Sequence, residues 1–272
     1  MKKFDKSWGF KNRVQRYDFL HNFLIFVHKK LIFAKEKPNS ALSNKQNGVI
    51  LRRLWDVVPT HIIIKTTMKV SLFKNIADIL KSSMLSGVCV GIAGFGYLAT
   101  RDIVGSILFA FGLLAVINYR LRLYTGFAGF IKRNEVPHLI LVLFGNILGC
   151  LLVALLARTS PQPLQEAAQS ILEGRLAVGP LRGGLLAVGC GFIMTTAVTF
   201  ARKGNVLPTL FGVPLFIVCG CPHCVADAFY YLTVPTDFLF ANLGDVLCFY
   251  VAIVLGNFIG CNFYRIVTGA SA

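Results

Sequence analysis

The sequence predicts an all-α membrane protein of six transmembrane helices, arranged as two inverted three-helix repeats with the second and fifth helices broken. Three observations lead there. Hydrophobic residues make up 55% of the 272, with a mean hydropathy of +0.65, too apolar for a single soluble core. Several apolar runs approach the roughly 20 residues with which a helix crosses a bilayer. Finally, Gly145-Asn146-Ile147-Leu148-Gly149-Cys150 recurs as Gly256-Asn257-Phe258-Ile259-Gly260-Cys261, in the third and the sixth run. Three spans per unit is an odd number, so the two units must insert in opposite orientations. The Gly-x-x-x-Gly spacing by itself packs helices closely. The paired asparagines say more, because an amide in hydrocarbon needs a partner.

The chain starts with a basic segment. Residues 1–67 carry 14 Lys and Arg against 4 Asp and Glu, much of the formal net charge of +16. Such an excess suits nucleic acid or an anionic lipid surface, yet the segment lacks a sustained helical period, and nucleic acid is not expected as a partner. It reads as an extension dispensable to a membrane domain over 68–272, with Met68 as the true initiator. The apolar patch at 20–33 is interrupted by Lys29 and Lys30 and lacks a small-residue cleavage site, so it does not read as a signal peptide.

The six spans are expected at 79–99, 103–133, 137–158, 183–201, 208–234 and 241–265. The second is interrupted by Asn118-Tyr119-Arg120-Leu121-Arg122 and the fifth by Gly220 and Pro222. Backbone that leaves the helix at membrane depth is tolerated only where protein buries it or a cavity hydrates it. Both interruptions therefore point to one interior pathway. Inverted repeats that each contain a broken helix are a transporter or channel signature.

If the spans alternate, Lys69, Lys74, Lys81, Lys132, Arg133, Arg202, Lys203 and Arg265 share one side. That side is expected to be cytoplasmic, with both termini on it. The other side has Arg101 with Asp102, Arg158 at the start of a loop over 159–182 that contains Arg175 and Arg182, and then Asp237.

Within the fifth span stands Cys219-Gly220-Cys221-Pro222-His223-Cys224-Val225-Ala226-Asp227. An ionisable residue at membrane depth is costly unless it faces protein or water, so His223 marks a functional site. Asp227 follows one helical turn later, on the same face of a continuing half-helix. It either pairs with the imidazole and favours its charged form, or neutralises Arg120 or Arg122. The cysteines Cys219, Cys221 and Cys224 with His223 also allow a rival reading, an intramembrane thiol or metal protein, since thiolates and imidazole suit copper(I) or zinc. Against it, the spacing departs from the usual zinc pattern and no second cysteine pair stands by to pass electrons. The remaining cysteines lie inside spans as small hydrophobes. No metal or other cofactor is expected.

With His223 in a broken fifth span, Leu123-Tyr124-Thr125-Gly126 after the break in the second, and Gly-Asn pairs in spans three and six, residues 77–265 resemble the formate/nitrite transporter family. The resemblance implies an aquaporin-like fold, a homopentamer with a pore through each protomer, and passage of small monovalent anions such as formate, nitrite, hydrosulfide or lactate across the cell membrane. It implies that His223 is the central pore histidine and that Thr125 approaches it. It places Leu113, Leu123 and Tyr124 at one hydrophobic constriction and Phe109 and Phe216 at the other. Asn257 would line the path, and Arg175, or Arg182 in its stead, would supply the vestibule cation. Arg122, Pro222, Asp227 and Gly191 depart from the family pattern, which puts the identity of the anion in doubt.

A bare anion crossing apolar constrictions loses its hydration at a cost that a few hydroxyls cannot return. An imidazole, with an ordinary pKa of about 6.5, can exchange a proton near neutral pH. The expected mechanism is therefore that vestibule cations gather the anion, His223 supplies or relays a proton, and the neutral weak acid passes. The reading is of a transporter and not of an enzyme.

Overall fold

The computed structural model describes the backbone of residues 60–132 and 135–269, with side chains from residue 72 onward. Every regular element among the described residues is helical: α1 (Thr60–Thr100), α2 (Ile103–Asn118), α3 (Tyr124–Ala128), α4 (Val136–Ala157), α5 (Leu164–Val178), α6 (Pro180–Arg202), α7 (Leu207–Val218), α8 (Cys224–Thr233), α9 (Thr236–Ala241) and α10 (Leu243–Thr268). The chain divides at Asp78 into two units. The first contributes the N-terminal part of α1, with Leu72 and Phe73 exposed. The second, Ile79–Ala272, holds both helix breaks and the site they build.

The basic extension expected over 1–67 falls mostly outside the described residues. Its last residues, from Thr60, belong to α1, which runs on through Met68.

Among the described residues, four helices are long and apolar enough to cross a membrane: Leu72–Thr100 within α1, then α4, α6 and α10. Their outward faces, with those of α2 and α7, expose residues such as Ile107, Phe111, Ile140, Leu185, Phe211 and Val251. A soluble protein rarely leaves so much contiguous apolar surface uncovered. A bilayer accepts it, and the chain is a membrane protein.

Where one span was expected over 103–133, the chain forms α2 and the short α3 separated by Tyr119–Leu123; over 208–234 it forms α7 and α8 separated by Cys219–His223. The turn before α2 is fixed by Asp102, whose carboxylate accepts the Gly105 N–H at 2.9 Å. That N-cap satisfies one of the helix's orphan donors and holds the exposed carboxyl below its ordinary pKa.

Residues 159–182, expected as loop, contain α5. Pro163 precedes it and Gly179, at φ 79°, ends it. Leu164, Ala168 and Leu172 recur at four-residue spacing and are its buried face, the pattern of an amphipathic helix. Two arginines fasten this end of the molecule. Arg101 donates through Nη1 to the Ala167 carbonyl of α5. Arg158 donates to the Leu232 and Val234 carbonyls, at 3.1 and 2.8 Å, and to Thr236 Oγ1 at 3.0 Å, which ties the end of α4 to the end of α8.

Packing pairs α6 with α10, α4 with α8, α2 with α7 and α6 with α7. The closest approaches rest on glycine. A Cβ on Gly87 would stand 2.0 Å from the Asn146 carbonyl oxygen, and one on Gly191 would stand 2.3 Å from that of Asn257. No larger residue allows these backbones to touch, so the Gly-x-x-x-Gly spacing in α4 and α10 has its partners on α1 and α6.

Candidate functional site

Both breaks are built by the same hydrogen bonds. At the first, the Arg120 N–H donates to the Ile117 carbonyl (3.1 Å) and the Leu121 N–H to that of Val116 (2.9 Å); at the second, Gly220 donates to Ile217 (3.0 Å) and Cys221 to Phe216 (2.9 Å). This nested pair is a Schellman ending, which wants a left-handed residue just past the helix. Gly220 takes it at φ 67°, and Arg120 takes it at φ 52°, where a side chain costs roughly 1–2 kcal/mol.

Each break then meets one asparagine. Asn146 Oδ1 accepts the N–H of Tyr124, the first residue of α3, at 2.9 Å, while its Nδ2 donates to the Arg122 carbonyl at 2.9 Å and the Ser83 carbonyl at 2.8 Å. Asn257 Oδ1 accepts the N–H of Cys224, the first residue of α8, at 2.8 Å, and its Nδ2 donates to Pro222 and Ala187 carbonyls at 3.0 and 2.9 Å. Two buried amides thus satisfy the backbone groups that leaving the helix would orphan. Asn257, expected to line the path, is spent on this task and lines neither cavity described below. The cysteines that follow are exchanged between the breaks: Cys150 Sγ donates to the Val225 carbonyl of α8 (3.3 Å), and Cys261 Sγ to the Thr125 carbonyl of α3 (3.2 Å).

The breaks bring Thr125 and His223 together. Thr125 Oγ1 lies 3.0 Å from His223 Nε2, and both residues are buried. His223 is itself the N-cap of α8, its Nδ1 accepting the Ala226 N–H at 3.2 Å. An Nδ1 that accepts carries no hydrogen, so the neutral ring has its proton on Nε2, which donates to Thr125 Oγ1. The threonine hydroxyl hydrogen is left free to point elsewhere. Phe216 stacks on the imidazole with centroids 5.7 Å apart, and Phe109 meets Phe216 edge-on at 6.3 Å.

A cavity of about 210 Å³ is lined by His223, Phe216, Asp227, Arg175, Cys221 and Tyr97, and Thr125 is not on its wall. Another, of about 500 Å³, is lined by Leu113, Leu123, Arg120, Arg122, Phe127 and Arg202. Of the residues expected at constrictions, Phe216, Leu113 and Leu123 line these cavities. Tyr124 does not: its hydroxyl donates to the Val254 carbonyl at 3.2 Å. Arg182 is exposed and lines neither cavity.

Asp227 corrects both expectations made for it. Its Oδ2 accepts the backbone N–H of His223 at 2.9 Å and leaves the ring alone. Its Oδ1 accepts Arg175 Nε at 2.9 Å and the Tyr231 hydroxyl at 3.2 Å. The partner is thus Arg175, on α5, and neither Arg120 nor Arg122. Arg175 Nη1 also donates to the Gly220 carbonyl at 2.6 Å. Burial is the largest single influence and weighs against the Arg175 charge, but the Asp227 carboxylate together with Tyr231 and Tyr230 outweighs it and raises the guanidinium's pKa above its ordinary value. Sequence reasoning missed this contact because α5 was read as loop. The amphipathic period of α5 was the signal available.

The cysteines of the rival thiol and metal reading differ in their exposure. Among the described residues no group of three or more His, Cys, Asp or Glu side chains could hold a metal ion. Cys219 is exposed in the turn and Cys224 is buried on α8, while both nitrogens of His223 are engaged.

Comparison with known proteins agrees with this architecture. A search of the curated proteins returned no match. Among solved structures, one described as a pentameric formate channel with formate bound superposes with a TM-score of 0.60 at 18% identity, covering 71% of this chain and 96% of that one. Another, described as an FNT family ion channel, gives a TM-score of 0.57 at 19% identity, covering 70% of this chain and 88% of that one. At such identities the likeness shows the fold. The sequence model of the formate/nitrite transporter family matches residues 60–268, and the chain belongs to that family.

Proposed function

We propose that the protein is a pore for small monovalent anions, or their conjugate weak acids, in which His223 and Thr125 form the central proton-exchanging pair. The observation that carries the reading is the 3.0 Å contact between Thr125 Oγ1 and His223 Nε2. It lies where the two breaks meet: His223 lines the cavity of Phe216 and Arg175, while Leu123 and Gly126, beside Thr125 in the chain, line that of Leu113. Phe109 and Phe216 form one narrowing, and Leu113 and Leu123 the other.

The tautomer gives the pair its chemistry. With Nδ1 held by the Ala226 N–H, the ring presents Nε2–H to Thr125, and the threonine hydroxyl is left to donate to an anion at the narrowing. A proton taken up at Nδ1 displaces the Ala226 bond, and release of a proton from Nε2 through Thr125 leaves the ring neutral again. The anion gains one proton before the apolar stretch and returns it beyond. Formate, nitrite, hydrosulfide and lactate are candidate permeants, and a proton is the co-partner.

The paired breaks, the asparagines and the exchanged cysteines support six spans arranged as two inverted repeats. The charge bias of Lys132, Arg202 and Arg265 supports both termini lying in the cytoplasm, on that side of a cell membrane protein. The exposed apolar faces, with the pentameric likeness, support a homopentamer. Residues 1–67 are an extension to this transport domain, residues 68–272. Asp227 and Asn257 hold the site, and Arg175 is a vestibule strut.

Flux of formate, nitrite, hydrosulfide and lactate into proteoliposomes tests the reading. His223→Ala should lower the flux of the permeant anion by about 100-fold, within the range contributed by a positioned proton donor. Undiminished flux would remove the histidine from the mechanism.

A further inference from the structure

The cavity of about 500 Å³ beside the first break gathers Arg120, Arg122 and Arg202 on its wall. Among the described residues no carboxylate pairs with any of the three; Arg202 lies over the Phe130 ring at 3.7 Å. Arg122 is engaged through its backbone, whose N–H donates to Ser82 Oγ at 3.1 Å and whose carbonyl accepts Asn146 Nδ2, leaving its guanidinium for the cavity. The other cavity differs, because its one guanidinium, Arg175, is already met by Asp227.

Arg120 adds an independent observation. It stands at φ 52° in the turn whose counterpart is Gly220. Glycine adopts that conformation without penalty, whereas arginine pays a strain that persists where the side chain has a use.

We propose that this cavity binds soluble oxyanions carrying two or more negative charges, of the phosphate or pyrophosphate class, and that they stopper the pore instead of crossing it. Three planar guanidiniums offer paired N–H forks matched to phosphoryl oxygens. A monovalent anion leaves two of the three charges unmet. The site is bounded inward by Leu113 and Leu123, where a single proton cannot neutralise a dianion, so the ligand stays at the mouth. A phosphodiester lipid headgroup, with one charge, matches the wall less well. The blockade rests on the pore reading above; the binding does not.

The test separates the two. Binding of inorganic pyrophosphate to the full chain in phosphate-free detergent is measured by calorimetry at constant ionic strength. Arg120→Gln, Arg122→Gln and Arg202→Gln should each weaken it by about 10-fold, the factor that accompanies loss of ~1.4 kcal/mol. Arg182→Gln should leave it unchanged. Pyrophosphate should also raise the unfolding midpoint of the wild-type chain, so a poorly folding variant does not leave the question open. No binding, or equal binding in all four variants, overturns the site. Loss of binding in nanodiscs containing phosphatidylglycerol, with binding kept in phosphatidylcholine, would assign the wall to lipid and overturn the soluble ligand. Formate flux with and without pyrophosphate then reads the blockade alone. Binding without inhibition would overturn the stopper, and absence of any formate flux would fall on the pore reading instead.

Discussion

The two helix breaks share a backbone and differ in what they carry. Leu123 and His223 occupy corresponding places, each extended and each preceding a half-helix, at φ −100° and −113°. Arg120 corresponds to Gly220 in the same way. Phe127 stands three residues into α3, where Asp227 stands in α8. One break presents leucine beside guanidiniums that meet no carboxylate among the described residues, the other an imidazole steadied by a neutralised ion pair. The lesson is that a single hydrogen-bonded frame, set by Asn146 and Asn257, positions unlike chemistry at two places. Frame and cargo can therefore be perturbed separately.

The largest effect should come from the frame. Asn146→Leu and Asn257→Leu each leave one N–H and two carbonyls unmet, which at about 1–3 kcal/mol for each orphaned group amounts to roughly 3 kcal/mol or more. Unfolding midpoints in detergent should fall together in the two variants. A fall in one alone would break the equivalence of the two breaks.

Next comes the asymmetric part. Asp227→Asn removes the carboxylate that meets Arg175, whose side chain is 19% exposed, and should cost about 2 kcal/mol, below the 3–5 kcal/mol seen for fully buried pairs. Since the first break has no counterpart to this pair, Phe127→Leu should cost less in the same measurement. An equal loss would show that the ion pair adds nothing to its break.

The smallest effect concerns the left-handed turns and should have opposite signs. Gly220→Ala should lose about 1 kcal/mol, and Arg120→Gly should gain up to about 1 kcal/mol, the strain of a side chain in that conformation. If Arg120→Gly destabilised the protein, the arginine would be contributing packing that outweighs its strain.

How much of this the sequence discloses follows from the range over which each feature is encoded. Long helices are local: α4, α6 and α10 end within a few residues of the expected spans because apolar runs set them. The breaks are local too, since Gly220 and Pro222 mark where helix cannot continue in one, and the two arginines interrupt the apolar run in the other. The proximity of His223 to Thr125 was expected from family resemblance, not from the residues themselves. Partner choice is not local. Nothing near Asp227 points to Arg175, because the two meet only after α5 folds back over α8. Asn257 was assigned to the pathway by family resemblance; the residues themselves show that the amide needs partners but not that the Pro222 carbonyl and Cys224 N–H supply them. Tyr124 sits at the right place in the chain, yet its hydroxyl turns to Val254.

The exchanged thiols bear on biosynthesis. Thr125 is anchored by Cys261, and Gly129 lies against the Cys261 carbonyl, 2.8 Å from where a Cβ would be. The short helix α3 therefore finishes docking only after α10 has left the ribosome and entered the bilayer. Until then, an early segment of the nascent chain has no final seat, and a stop codon ahead of Cys261 would strand it however well the preceding spans had inserted.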